Sequence, residues 1–341
     1  MPEQIETEIY AIISNVDRTI TKLNSIIKTQ GYEFIPISLQ NLELQFSEVF
    51  NIPRTFKPKQ SIVKSLRKEG FNVISEHFEK ALKQFFALKH GDIDEPPDDE
   101  IYLLKALKPA FVEHGETYYS IGEAAMAEIT IAKYVHQLIR KLRLYKEGEI
   151  HFHGSFSIFK ENRKVISKRL MHRRPVGGSY TIKEVDLPEL SRLLSADLKV
   201  PELIQLAIDS FELAYDTSET KVKFVLLMIA LESIYNRSSQ EPIKHIIARH
   251  LALTLCTSEE DFNYLFKKVK KLYDTRCHIV HGNNDKRKII KIQETIYKDF
   301  VELETLTRRV IMKLLFWYDF ELGEPTKETL FEYLNRKGFA G

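Results

Sequence analysis

Apolar residues recur along most of this chain at intervals of three and four, the spacing that places them on one face of an α-helix. In the first half of the chain, this spacing predicts helical segments at residues 5–29, 39–49, 59–89, 101–113 and 122–145. In the second half, it predicts helices at 189–195, 200–215, 219–236, 242–256, 258–275, 289–321 and 326–337. We therefore expect a mainly α-helical protein.

A short stretch between the two helical regions follows a different pattern. Its polar and apolar residues alternate with a period of two, which is typical of half-buried β-strands. The alternation predicts strands at 149–159, 165–170 and 179–182. We expect a helical N-terminal region, residues 1–188, that contains a small antiparallel β unit at about 149–183 and is followed by a helical domain at 189–341.

Length and composition are those of an ordinary globular protein. The 341 residues allow one large or two ordinary domains, and 43% of them are hydrophobic. The net charge is only +2, so any surface for nucleic acid must come from local clusters of basic residues. The two cysteines, Cys256 and Cys277, fit a reducing compartment, and no signal peptide is visible. The longest apolar runs are too short to cross a bilayer, so we expect a cytoplasmic protein that does not contact a membrane.

Two features of the sequence resemble parts of metal sites. His151 and His153 lie on one face of the first predicted strand, as two metal ligands would, but no third ligand stands out nearby. Ordinary polar-face histidines are the alternative. The spacing of six acids within residues 92–100 does not fit a calcium loop, which needs a central glycine and a distal glutamate, so this stretch is interpreted as a solvated linker. The sequence therefore predicts no metal site.

Ionisable chemistry is concentrated in one stretch, which directly follows a strongly patterned helix. The stretch reads Leu272-Tyr273-Asp274-Thr275-Arg276-Cys277-His278-Ile279-Val280-His281-Gly282. A histidine can move protons near neutral pH, and an arginine can hold a phosphate through two parallel hydrogen bonds. Arg276 and His281 therefore suggest binding or chemistry at a phosphodiester. The alternative is that His281 caps a helix and Arg276 is a surface charge.

Helix geometry restricts how these two side chains can meet. Five residues at about 100° each place Arg276 and His281 roughly 140° apart on a continuous helix, so they would not converge. They can converge only if the helix ends or distorts between them, or if a second copy of the chain supplies one of them. The β-branched pair Ile279 and Val280, followed by Gly282, favours a helix end in this stretch.

Basic residues lie on both sides of this stretch and in the β unit, where they would attract a phosphate backbone without reading its sequence. For the β unit, a solvated hairpin is the alternative. The residues selected as candidates for binding a polyanion are Lys267, Lys268, Lys270, Lys271, Lys286, Arg287, Lys288, Arg169, Arg173 and Arg174.

The C-terminal third resembles the HEPN superfamily, in which an arginine, four residues and a histidine lie at the end of a helix in an all-helical domain. The stretch 272–282 is similar to the motif of the ApeA-like HEPN branch, roughly Leu-Tyr-x-x-Arg-Asn-x-Ile-Val-His-Gly. Residues 224–235 resemble the family's apolar helix with a glutamate near its end, here Glu232, and residues 246–252 resemble the helix that follows. The resemblance covers about residues 195–320.

The resemblance implies a helical bundle that forms a homodimer or a higher homo-oligomer and so brings two motifs together. In active members, this composite site cuts RNA without a metal or other cofactor, because the RNA 2′-hydroxyl attacks the adjacent phosphate. By this resemblance, His281 would be the general acid and base, and Arg276 would hold the phosphate. His278, Cys277 and Glu232 would support these two residues.

The function implied by the resemblance is that of a metal-independent endoribonuclease in bacterial defence against phage or in a toxin system. RNA would be its ligand, and residues 1–188 would sense a trigger of protein or phage origin. One departure from the motif weakens this expectation: Cys277 stands where the family usually has a polar residue. The alternative is a non-catalytic HEPN module that binds RNA, a nucleotide or a partner protein through Arg276 and His281.

Overall fold

In a computed structural model, the chain divides into two compact units. The first contains residues 1–143 and 148–195, and the second contains residues 144–147 and 196–341. The sequence-based boundary at 188/189 lies seven residues before this division. The structure describes residues 4–37, 101–107, 111–113, 117–159, 165–170, 180–195, 200–217, 219–236, 242–281, 286–317 and 326–337. The predictions for 39–49, 59–89 and 92–100 concern residues outside these ranges.

The described residues are mainly helical and include one antiparallel sheet, which confirms the predicted fold class at this level. The sheet belongs to the first unit and has the strand order β2-β3-β1-β5-β6, with β4 pairing with the start of β1. Its strands are β1 (Gln4–Ser14), β2 (Tyr32–Ile37), β3 (Ile101–Ala106), β4 (Phe111–Glu113), β5 (His151–Phe159) and β6 (Val165–Leu170). The predicted strands at 149–159 and 165–170 are confirmed as β5 and β6.

The predicted helix at 5–29 is wrong over its first half, because β1 is the central strand of the sheet. This strand pairs with β3 on one edge and with β5 on the other. Residues 9–13 are buried whichever way they point, so no polar position marks the alternation of a strand. Short helical turns follow at Arg18–Leu23, α1 (Asn24–Ile27) and Lys28–Gln30, and the chain then turns at Gly31, where φ is 87°.

The predicted helix at 101–113 is also wrong, since this segment forms β3 and β4. Three consecutive residues of β3, Tyr102, Leu103 and Leu104, are buried between β2 and β1. A short run that is apolar on both faces carries no periodicity that separates a strand from a helix. The predicted strand at 179–182 is not formed either, because its described residues contribute only an isolated bridge between Tyr180 and Val16.

Two further helices belong to the described part of the first unit: α2 (Thr117–Tyr145), whose last residues 144 and 145 fall in the second unit, and α3 (Leu187–Ser195). They confirm the helices predicted at 122–145 and 189–195. Tyr134 of α2 stacks on Tyr32 of β2 with a distance of 3.7 Å between ring centroids. The N-terminal region is therefore built around a larger sheet than the predicted small unit.

The described part of the second unit is helical throughout, as predicted. Its helices are α4 (Glu202–Asp216), α5 (Thr220–Tyr235), α6 (Ile243–Leu255), α7 (Glu259–His281), α8 (Lys286–Trp317) and α9 (Lys327–Arg336). Apolar residues of these six helices form one buried cluster. The predicted cap of α7 is present, because the backbone N–H of Asp261 donates to Ser258 Oγ at 3.2 Å.

One prediction for this unit needs correction, and it concerns the candidate site. The helix predicted at 258–275 continues through the motif, and α7 ends only at His281. No helix end or distortion separates Arg276 from His281. The apolar contacts of Cys277 and Ile279 with the core explain the continuation, because burial of a helix face outweighs the weak helix propensity of β-branched residues.

Candidate functional site

Helix α7 has a seam of core residues that leads directly to the motif. The seam consists of Phe262, Leu265, Val269 and Leu272, all of which are buried. Their spacing alternates between three and four, so they share the face that packs into the second unit. Arg276 occupies the next position of this seam. An arginine therefore stands where the pattern calls for an apolar residue, and its side chain is directed toward the core side of α7.

Glu232 of α5 provides the opposite charge. Arg276 Nε lies 3.4 Å from Glu232 Oε1, and the two side chains are only 20% and 17% exposed. The guanidinium also lies over the ring of Tyr273, 5.7 Å from the ring centroid. These contacts place a predicted supporting residue, Glu232, beside the predicted phosphate-holding residue, Arg276.

Two side chains at this ion pair, Glu232 and Tyr273, have pKa values above their ordinary ones. Burial raises the pKa of Glu232 above its ordinary value, and the nearby Arg276 charge offsets only part of this effect. Burial also raises the pKa of Tyr273, with Glu232 adding to the increase and Arg276 opposing it. The charges of Glu232 and Arg276 therefore influence each other and Tyr273 in a partly buried setting.

His281 lies in a different environment, as the last residue of α7, and it is exposed. On this continuous helix, about 140° of rotation separates it from Arg276, together with a rise of roughly 7.5 Å. His278 lies close to the direction of His281 and is half-buried. The structure thus brings Arg276 and Glu232 together, but it does not bring Arg276 and His281 of one chain together.

The face of α7 between Arg276 and His281 is apolar, and one of its three side chains is exposed to solvent. On the shorter way around the helix, Tyr273, Cys277 and Val280 lie between the two motif residues. Cys277 packs against the core of the unit, and Val280 is 47% exposed. Cys277 thus does not supply the polar group that the family motif usually has at this position, and Val280 leaves an apolar side chain in solvent.

The four lysines of α7 are not equally available to a ligand. Lys268 forms an ion pair with Glu302 of α8, and Lys271 lies 3.4 Å from Asp299 of the same helix. Lys270 lies over the ring of Phe266, 5.1 Å from its centroid. Lys267 is exposed, and none of the described residues forms an ion pair with it. The sequence-based selection therefore combines one available lysine with three whose ammonium groups have partners.

The side chains of the remaining basic candidates lie outside the described part of the chain. Lys286, Arg287 and Lys288 lie in the first turn of α8 and Arg169 lies in β6, but the positions of these four side chains are outside the description. Arg173 and Arg174 lie wholly outside the described ranges.

Sequence analysis did not select Asp299. This buried aspartate of α8 accepts a hydrogen bond from Thr275 Oγ1 at 3.4 Å and lies the same distance from Lys271 Nζ, so it ties α8 to the helix that carries the motif. The sequence nevertheless contains a pattern that could have identified Asp299. Asp299 is four residues before Leu303 and seven before Leu306, both buried, so it is an acid in the apolar register of α8.

The two strand histidines considered as metal ligands have other partners. His151 Nε2 lies 3.1 Å from Glu149 Oε2, and His153 Nε2 lies 2.5 Å from Ser14 Oγ. In the described ranges, no group of three or more His, Cys, Asp or Glu side chains is arranged to hold a metal ion.

No family model, no curated protein and no solved structure matches this chain. No helix in the described part is both long and apolar enough to span a membrane.

Proposed function

We propose that this protein is a metal-independent endoribonuclease of the HEPN type, with an HEPN-like bundle formed by the helices of the second unit. The observation that carries the proposal is the position of Arg276. Its guanidinium lies over Tyr273 and beside Glu232, and its helix ends at His281. An arginine in a partly buried, oriented position is suited to bind a phosphate and to stabilise the charge that develops in a transition state.

In the proposed reaction, the RNA supplies its own nucleophile. His281 takes the proton of the 2′-hydroxyl, whose oxygen then attacks the adjacent phosphorus. Arg276 stabilises the negative charge on the non-bridging oxygens, and the bond to the 5′-oxygen of the next nucleotide breaks. A proton delivered by a histidine neutralises this leaving oxygen. The products carry a 2′,3′-cyclic phosphate and a 5′-hydroxyl, and no oxidant, reductant or metal is consumed.

The geometry of α7 supports a site shared by two chains. Because Arg276 and His281 of one continuous helix point in different directions, one phosphate cannot lie between them in a single chain. Val280, the apolar side chain between them that is 47% exposed, would be covered by α7 of a second copy. In a two-fold dimer of this kind, Arg276 of one chain would face His281 of the other, which is an isologous arrangement.

A specific observation favours the alternative of a non-catalytic HEPN module. Cys277 packs against the core, so the motif has no polar residue at the position that follows Arg276. Such a module would bind RNA, a nucleotide or a partner protein through Arg276 and His281 without cleaving a bond. Cytoplasmic location, an antiviral or toxin role, and a trigger sensed by residues 1–188 also remain part of the proposal.

The test is an RNA cleavage assay in EDTA with the wild type, His281→Ala and a control. We expect wild-type protein to yield cyclic phosphate and 5′-hydroxyl ends, and we expect His281→Ala to be slower by roughly 100- to 10,000-fold. His245→Ala is the control, because His245 lies on α6 outside the motif, against the ring of Phe266. If dimeric wild-type protein binds RNA but cleaves none of a diverse set, the binding module replaces the nuclease.

A further inference from the structure

The first unit contains a cluster of polar side chains where β1 ends and β5 begins. Ser14 is the last residue of β1, and its direct partner across the ladder is His151 of β5. Directly opposite residues point to the same face of a sheet. Ser14, His151 and the neighbouring Glu149 are all buried. Buried groups of this kind lose their hydration, so their presence together at one place needs a physical explanation.

A β-bulge brings His153 to Ser14. The pairing of β1 with β5 shifts by one residue directly after Ile12, the partner of Gly154. His153 is the extra residue of this bulge, and its Nε2 lies within hydrogen-bond distance of Ser14 Oγ, at 2.5 Å. A bulge breaks the regular alternation of a strand and can thereby redirect a side chain, which is why bulges are frequent beside active sites.

The backbone on both sides of this contact has unusual conformations. Asn15, which directly follows Ser14, has a φ of 59°, and no other described residue except glycine has a positive φ. Gly154, which directly follows His153, has a φ of 128°. Such conformations persist only where the surrounding structure enforces them, and they are concentrated at functional sites. The fold therefore holds the contact between Ser14 and His153 from both strands.

The pair has the geometry of an activated nucleophile. A serine hydroxyl within hydrogen-bond reach of an imidazole nitrogen becomes reactive, because the histidine can take its proton as the oxygen attacks. Ser14 is buried and His153 is half-buried, so the pair opens to solvent on the side of the histidine. Among the described residues, no arginine or lysine hydrogen-bonds to Ser14, as a phosphate site would require. An uncharged acyl group therefore fits this pair better than a phosphate does.

His151 adds a second polar group on the face of Ser14. Its Nε2 lies 3.1 Å from Glu149 Oε2, and a carboxylate in this position assigns the ring proton to Nε2. Nδ1 is then an acceptor. This atom is shielded from solvent, and no described residue forms a hydrogen bond with it. Buried acceptors are normally satisfied, so Nδ1 offers a place for an N–H or O–H group of a bound molecule.

We propose that Ser14 and His153 form a second reactive centre, which cleaves a carboxylic ester. Ser14 Oγ forms a bond to the carbonyl carbon while its proton moves to His153, which then gives this proton to the departing alcohol as the ester C–O bond breaks. Water, deprotonated by His153, attacks the acyl group and restores Ser14. The step consumes only the ester and water, and it does not depend on the proposed nuclease site.

A fluorophosphonate probe that carries a fluorophore tests the proposal on the whole chain. The serine oxygen bonds to phosphorus, fluoride leaves, and the proton moves to the base. We expect an adduct on Ser14, located by mass spectrometry of proteolytic peptides. His153→Ala should slow the labelling by roughly 100-fold or more, which is the contribution of a general base. Ser155→Ala is the matched control, because Ser155 is also buried in β5 and no described histidine hydrogen-bonds to it.

The second measurement is the release of p-nitrophenol from p-nitrophenyl acetate. Wild-type protein and His281→Ala should release it at equal rates, whereas Ser14→Ala should lose this activity, so the result is separate from that of the nuclease assay. An adduct on Ser14 that depends on His153 supports the proposal. If folded wild-type protein forms no adduct on Ser14, or if folded His153→Ala reacts equally fast, the contact only stabilises the bulge and the proposal is wrong. The wild-type adduct map decides this even if Ser14→Ala does not fold.

Discussion

Arg276 and His281 lie on the same helix, yet the fold holds them in opposite ways. Arg276 extends the buried seam of α7, lies over an aromatic ring and faces a carboxylate of α5. His281 is the last residue of the helix and is exposed. The side chain suited to hold a phosphate thus receives its orientation from its own chain, whereas the side chain suited to move a proton does not.

This difference indicates where the site is incomplete. A general acid and base acts efficiently only within hydrogen-bond reach of the proton that it transfers. An exposed histidine at a helix end has many rotamers and is screened by water, so another group must fix it. A second copy of α7, lying across the exposed side chain of Val280, would supply both the orientation and the missing Arg276. The comparison therefore predicts that the two residues act in trans.

A subunit-mixing experiment gives the largest expected effect. Arg276→Ala and His281→Ala should each be nearly inactive alone. In a mixed dimer, one composite site would lose both residues and the other would keep both, so random mixing should restore about a quarter of wild-type cleavage. Initial rates are measured after the two variants have been co-refolded or co-expressed. A mixture that stays as inactive as its components would show that each site lies within one chain.

The second prediction concerns the free energy of unfolding, which should depend on Arg276 more strongly than on His281. Arg276→Ala removes the counter-charge of a shielded carboxylate, so the free energy of unfolding should fall by about 1–2 kcal/mol. His281→Ala should change it by less than about 0.5 kcal/mol, because surface substitutions usually do. Urea unfolding followed by circular dichroism measures both values at equal dimer concentration. If both variants lost the same free energy of unfolding, the contrast between a partly buried, ion-paired Arg276 and an exposed His281 would be wrong.

The third prediction uses the raised pKa of Glu232. Because the folded state holds this proton more tightly than the unfolded state, the stability that it contributes is fully present below the ordinary pKa of 4.5 and is lost as the pH rises through the folded value. Relative to Glu232→Gln, the wild type should therefore lose stability as the pH rises above 4.5. Urea unfolding of both proteins at several pH values gives this difference. A difference that grows with pH would mean that attraction by Arg276 outweighs burial.

Much of the second unit could be predicted from the sequence, and the reason is physical. Apolar residues recur at three and four in each of its helices, even in α6, which is buried on most sides, so the spacing identified all six to within a few residues, except at the end of α7. There, the predicted stop relied on Ile279, Val280 and Gly282, but Cys277 and Ile279 still contact the core and the helix continues. Glu232 could be selected as a candidate from its place near the end of an apolar helix, whereas its distance from Arg276 depends on packing between helices.

The first unit was predicted less well because two of its strands, β1 and β3, have consecutive residues buried on both faces. Ile9, Ile12 and Ile13 recur at three and four as in a helix, yet they belong to a central strand whose two faces are both covered. Only β5 and β6 showed an alternation that the sequence could reveal. The pairing of β1 with β3, nearly ninety residues later, is a long-range contact that no local pattern encodes.

The smallest expected effect compares two neighbouring lysines of α7. Lys267 is exposed, whereas Lys268 forms an ion pair with Glu302 and donates a hydrogen bond to Tyr264 Oη at 2.6 Å. An ammonium that already has a carboxylate partner releases few counterions when RNA binds. Lys267→Gln should therefore reduce the slope of log K against log salt by about 0.7, the value for one contact to a single strand, and Lys268→Gln should leave it nearly unchanged. Anisotropy titrations at four salt concentrations measure both slopes, and equal slopes would mean that RNA displaces Glu302 from Lys268.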